Sequence, residues 1–207
     1  VSLFVEGLYR GEMVALVEDG AFLSATVNRL GSIDDFNSDD EREAYSGYIK
    51  DLFKKYTSIQ DFAEANLAEL EQDIHSTGFY HNKAKNIIAC CQKLLSEFGG
   101  EVPSDIDQLT SLAGVGRKTA NVMLAVAFGK PAMPVDTHVF RVSHRVGLAD
   151  EAKNPLQTEM ILRQYIPENI LSDAHHWLLL HGRYVCTALA PKCGECGIRD
   201  YCKEFKE

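Results

Sequence analysis

Apolar residues recur at three- and four-residue intervals through most of this chain, and the elements they predict are helices. The clearest runs from Asn82 to Phe98, with Ile87, Ile88, Cys91, Leu94, Leu95 and Phe98 on one face. Gly99-Gly100 stops it. Upstream, Ser58 caps a helix through Phe62, and Asn66 with Glu69 three residues later makes a capping-box pattern that Gly78 ends. Pro103 and Ser104 open the helix carrying Leu109 and Leu112. Asn154-Pro155 places a cap before a proline at the first helical position, Pro167 repeats the device, and Asp173 to Val185 is the last long helix. The first 56 residues are less periodic. Leu3, Phe4, Leu8, Met13, Val14, Leu16 and Val17 suggest a short helix or two, and 24–30 and 45–56 read as helical. The polar stretch Gly31 to Glu43 reads as a solvated loop. No strand-like alternation with hairpin turns occurs, so the fold class is all-α.

Charge changes the picture only through its distribution. The net charge of −9 speaks against a nucleic-acid partner, but residues 1–75 carry 16 acids against 6 bases, and residues 76–207 carry 14 against 15. Any nucleic-acid contact in the later part therefore rests on backbone amides and a few placed cations. No apolar run has membrane-spanning length, and Val1 to Glu6 lacks a signal-peptide pattern. Of six cysteines, Cys90 and Cys91 fall inside a helical pattern as small apolar residues. The other four crowd into residues 186–202, which reads as metal ligation in a reducing compartment. His175, His176 and His181 on the last helix read as packing and surface residues.

Leu112-Ala113-Gly114-Val115-Gly116 joins two helices by a tight turn. Two glycines permit positive φ and leave the backbone uncovered. The amides at the start of the next helix then form an anion site, which a DNA phosphate suits. A plain helix–helix corner is the alternative. Arg117-Lys118-Thr119-Ala120 opens that next helix, where cations oppose the helix dipole. A lysine held there is pushed toward its neutral, nucleophilic form; simple phosphate contact is the alternative. Asp136, eighteen residues on, reads as the N-cap of a helix over 137–146, a position that also holds a carboxylate rigidly.

Cys186, Cys193, Cys196 and Cys202 are spaced C-x6-C-x2-C-x5-C. Zinc modules present two short pairs separated by a longer span, whereas this single compact run suits a [4Fe–4S] cluster. Zinc is the alternative.

The run L-x-x-L-x-G-V-G-R-K-T-A-N-V from Leu109, followed by V-D-T-H-V-F-R-V from Val135, closely resembles the endonuclease III family of bacterial base-excision repair glycosylases with AP lyase activity. The cysteine spacing, the H-H-W-L-L-L-H-G-R-Y run before it and residues 76–87 resemble the same family, so the likeness covers roughly residues 57–207. It implies two helical lobes, a six-helix barrel-like domain and an iron–sulfur cluster domain, flanking a DNA-binding cleft. The first would be 20–130, with the helix-hairpin-helix at about 105–128. The second would be 131–207, with 1–19 a candidate addition, and residues 1–56 diverge from the family. Lys118 would be the Schiff-base nucleophile and Asp136 its carboxylate partner, with Gly129-Lys130-Pro131 in the loop between them. Gly114, Val115, Gly116, Arg117, Thr119, His138 and Lys192 are the candidate DNA contacts, and the four cysteines would hold a [4Fe–4S] cluster.

The expected partner is double-stranded DNA with a damaged base or abasic site, met by a monomer with no membrane role in the bacterial cytoplasm, at the nucleoid. The expected activity is removal of oxidised pyrimidines, with the flipped-out base displaced and the strand cut 3′ to the abasic site by β-elimination. In the family a glutamine fills the gap left by the flipped base. The matching stretch here, Leu23 to Asn28, has none. A non-catalytic or lyase-only DNA-binding or redox-sensing relative is the competing reading.

Overall fold

The computed structural model describes residues 51–77 and 79–206. The expectations for 1–50, including the glutamine-less stretch, and for Gly78 lie outside these residues. Among the described residues there is no strand, and no helix is long and apolar enough to cross a membrane. The described residues fall into two compact units, 51–123 and 124–206.

In the first unit, residues 51–55 are helical and lead to α1 (Ile59–Ala63) and α2 (Leu67–Asp73). Ser58 caps α1 in a full reciprocal box. Its hydroxyl accepts from the Asp61 amide, and the Asp61 carboxylate accepts from the Ser58 amide at 2.9 Å. The box expected at Asn66 forms only by half. Asn66 Oδ1 accepts from the Glu69 amide, but the Glu69 carboxylate turns to Lys55 at 2.7 Å, an ion pair that draws it away from the cap. α2 ends at Asp73, earlier than Gly78, and a 3-10 turn over His75–Thr77 follows.

The long helix α3 is Tyr80–Phe98, two residues longer than its sequence pattern because apolar spacing does not mark its first turn. Ala84, Ile87, Cys90, Cys91 and Leu94 are buried, and Gly99 closes the helix at φ +64°. α4 is the short Ile106–Thr110. Its cap is Asp105, which accepts from two amides, rather than Ser104; Leu112 lies buried in the turn beyond it. Phe62, Leu70, Ile74, Ile87, Leu94, Leu109 and Met123 are the large, fully buried side chains here. α5 is Arg117–Val126.

In the second unit, α6 is Thr137–Val146, α7 Pro155–Tyr165, α8 Leu171–Tyr184 and α9 Lys203–Lys206. Asn154 caps α7, with Pro155 in its first turn as expected. Pro167 instead precedes a 3-10 turn, Glu168–Ile170, that feeds α8. Met133, Val135, Val139, Leu162, Leu171 and Ala174 form the buried core, which fixes the front of α6 against α7 and α8. At Gly182 on α8 an added Cβ would stand 2.9 Å from the His138 Cβ and from Val142 Cγ2, so only glycine lets α6 and α8 approach this closely.

Candidate active site and cluster-binding loop

The hairpin is built from underneath. The Val115 amide donates to the Leu112 carbonyl at 3.1 Å, and the Val115 side chain is buried. Gly114 has φ +77°, and a Cβ there would meet Asn86 Cβ of α3 at 3.0 Å. Gly116 needs no such conformation: it has open space around it, and its carbonyl accepts the first bond of α5 from Ala120 at 2.9 Å. One glycine is thus fixed by strain and packing, and the other by exposure. Gly116, Arg117 and Lys118 are exposed and Thr119 is half-buried, all at the N-terminal end of a ten-residue helix. Helix N-termini direct their amides and a positive dipole outward.

Asp136 is the N-cap of α6, as its sequence position predicts. Oδ1 accepts from the Val139 amide at 2.8 Å, leaving Oδ2 outside the cap. Lys118 belongs to the first unit, and Asp136 and His138 to the second. His138 is half-buried, and its Nδ1 lies 3.2 Å from Arg141 Nη2.

Cys186, Cys193, Cys196 and Cys202 form no disulfide, are all half-buried, and line one recess together with Lys192, His181 and Arg199. Two 3-10 turns, Cys193–Glu195 and Arg199–Tyr201, bring the last three cysteines round. Arg145 Nη1 donates to Cys186 Sγ at 3.7 Å and to the Thr187 carbonyl at 2.8 Å. The Cys186 sulfur beside it holds the guanidinium above its ordinary range. His181 Nε2 stands 3.7 Å from Cys196 Sγ, and burial pushes that imidazole downward, toward the neutral form. Four thiols around a common space with a cation on one of them suit a polynuclear, thiolate-held cluster.

The iron–sulfur binding domain of endonuclease III matches residues 186–202, beginning and ending on a cysteine. The HhH-GPD superfamily base excision DNA repair protein pattern matches residues 41–168. Endonuclease III of Bacillus subtilis (strain 168) is 48% identical over 155 residues, 75% of this chain and 71% of that protein. The chain belongs to the endonuclease III family. Endonuclease III of Rickettsia felis is likewise 48% identical over 156 residues, 75% of this chain and 73% of its own length.

A solved endonuclease III trapped as a covalent intermediate with DNA superposes with a TM-score of 0.77 at 38% identity, over 99% of this chain and 96% of that one. A non-covalent endonuclease III–DNA complex gives 0.77 at 37%, over 99% and 92%. A thermostable thymine-DNA glycosylase shares the fold alone, at 20% identity. The chain is a base excision repair DNA glycosylase of the endonuclease III family, an enzyme of the glycosylase/AP lyase class, and its cofactor is a [4Fe–4S] cluster.

Three features escape a reading of the sequence. Arg141 and Arg145 face the cysteine loop from α6, and only their spacing on the helix hints at it. Asn86 supports the hairpin from α3, without a motif of its own. Phe79, just before α3, holds a left-handed backbone at φ +51° with its ring 87% exposed; left-handed backbone is not legible at a phenylalanine. Lys192 is exposed, while Leu189 in the same loop is 99% exposed, so this loop offers one cation and an apolar tip.

Proposed function

We propose that the chain excises oxidised pyrimidines from duplex DNA and cuts the resulting abasic site through a Schiff base on Lys118. The observation that carries this is the exposed Lys118 in the first turn of α5, directly after the Gly114–Gly116 hairpin. The hairpin amides, with Arg117 and Thr119, take a backbone phosphate. The target nucleotide leaves the stack. The Lys118 amine attacks C1′, the C1′–N bond breaks, and the base departs with a proton. Asp136, held rigid by its cap, takes the proton shed by the lysine nitrogen and balances positive charge on the sugar. The C1′–O4′ bond of the resulting aminal opens, O4′ taking the proton held by Asp136, and leaves the iminium; loss of a C2′ proton from it breaks the C3′–O bond and expels the 3′ phosphate, and water releases Lys118. Cys186, Cys193, Cys196 and Cys202 would hold the cluster, and the loop between the first two of them carries Lys192.

Phe79 supports a way to do without the family's glutamine. It lies seven residues before Asn86, roughly 10 Å along the helix axis from the residue that supports the hairpin. An exposed aromatic ring there can enter the vacated stack, where base–aromatic stacking contributes about 1–3 kcal/mol.

The test is strand cleavage on two duplexes, one with an oxidised pyrimidine and one with an abasic site. The expected result is that Lys118→Ala loses both activities and Asp136→Asn slows both by more than a hundredfold. A Lys118→Ala protein, loaded with its cluster, that still nicks the abasic duplex overturns the assignment.

A further inference from the structure

We propose that Arg141 is a positioning residue: it ties the cysteine loop to the front of α6 and fixes His138 as a hydrogen-bond donor through Nε2, directed at a DNA phosphate. This deepens the proposed function and rests on its assignment of the front of α6 to DNA.

Arg141 stands one turn into α6 and reaches the far end of α8. Its Nη2 donates to the Gly182 carbonyl at 2.7 Å, and the Cys186 carbonyl accepts from its Nε at 3.2 Å with Nη2 3.0 Å away, so the second Nη2 proton is shared with a further acceptor. The last carbonyls of a helix lack intrahelical partners and attract a cation, so α8 ends on this guanidinium. Cys186 begins the four-cysteine run. The position of its backbone is therefore set from α6, three residues beyond His138.

The same Nη2 lies 3.2 Å from His138 Nδ1. A guanidinium carries donors only and does not lose its proton in a protein. The nitrogen facing it must present its lone pair, and in a neutral imidazole the proton then sits on Nε2. The base of the side chain packs on α8 as well, since a Cβ at Gly182 would stand 2.9 Å from the His138 Cβ. His138 follows the Asp136 cap by two residues and is half-buried, with Nε2 the ring nitrogen left for a ligand. An N–H donor of fixed direction beside a helix N-terminus suits a phosphate oxygen. Lysine at position 141 would keep the charge but lose the fork that bonds two carbonyls and one ring nitrogen at once.

The first test reads the wild type alone: a long-range 15N–1H spectrum of the cluster-loaded protein. It should show His138 with a pyrrole-type Nε2 and a lone-pair Nδ1, and the reverse overturns the proposal whatever the variants do. The second measures the affinity of cluster-loaded Arg141→Gln, Arg141→Lys, His138→Leu and the Arg141→Gln/His138→Leu pair for a duplex holding an uncleavable abasic-site analogue. Each single variant should bind about tenfold more weakly at full iron content, and the pair no worse than His138→Leu, because both act through one hydrogen bond. Additive losses, or an Arg141→Gln protein that loses iron but binds normally per loaded chain, would make Arg141 a loop clamp only. A wild type with no affinity for the duplex would overturn the DNA assignment itself, leaving the tautomer result to stand by itself.

Discussion

Phe79 holds a backbone that phenylalanine avoids, and its exposed ring gains no packing in return. Left-handed backbone costs roughly 1–2 kcal/mol for a residue with a Cβ. Glycine removes that strain and the ring together. Phe79→Gly should therefore keep or raise the melting temperature while base removal falls at least tenfold; a calorimetric scan and a single-turnover excision assay check the two directions. Full excision by Phe79→Gly would sink the stacking role.

Cys90 and Cys91 show the opposite case, where the sequence pattern is sufficient. Their place in the α3 apolar face makes them core residues, and both are buried. Burial pushes each thiol up to about 12 from an ordinary 9.0. A thiol raised in the folded state stabilises the fold fully below the unfolded value and loses that contribution as pH climbs toward the folded one. The chain should lose stability between about pH 9 and 12, and Cys90→Ala/Cys91→Ala should flatten that loss in denaturant titrations across the range. A slope unchanged in the double variant would show that other groups cause it; buried Tyr56, also raised to about 12, is the next to examine.

At the scale of elements, caps and glycines were legible wherever a local rule governs them. Ser58, Asn154 and the Asp136 cap of α6 stand where the sequence puts them. One misplacement came from a partner remote in sequence, Lys55 drawing Glu69 off its cap; after Pro167 a 3-10 turn precedes α8. The hairpin glycines look alike in sequence but differ in space. Gly114→Ala meets both a positive φ and Asn86, and should cost about 1–3 kcal/mol. Gly116→Ala meets open space. It should fold normally yet weaken duplex binding, because its methyl stands where a phosphate approaches the backbone. Urea melts paired with duplex titrations separate the two; a Gly116→Ala protein that binds normally would contradict the phosphate site. The cysteine spacing revealed a cluster loop, but its support by Arg141 and Arg145 arises from the packing of α6 on α8, of which their four-residue spacing on α6 gives only a hint.

Over the whole molecule, charge sets how DNA is held. The chain carries −9 overall, and the cations at candidate DNA contacts are Arg117 and Lys192. Two neutralised phosphates give a slope of about −1.8 in log affinity against log salt. A measured slope steeper than about −5 would mean that other cations do most of the binding.

Covalent chemistry at Lys118 is the step on which the proposed function turns. The most direct measurement incubates the cluster-loaded chain with an abasic-site duplex and borohydride, digests the product, and maps by mass spectrometry the residue that carries the reduced sugar. A single adduct on Lys118, absent in Lys118→Ala, is the expected result. An adduct on another amine, or none from fully loaded protein, would contradict it.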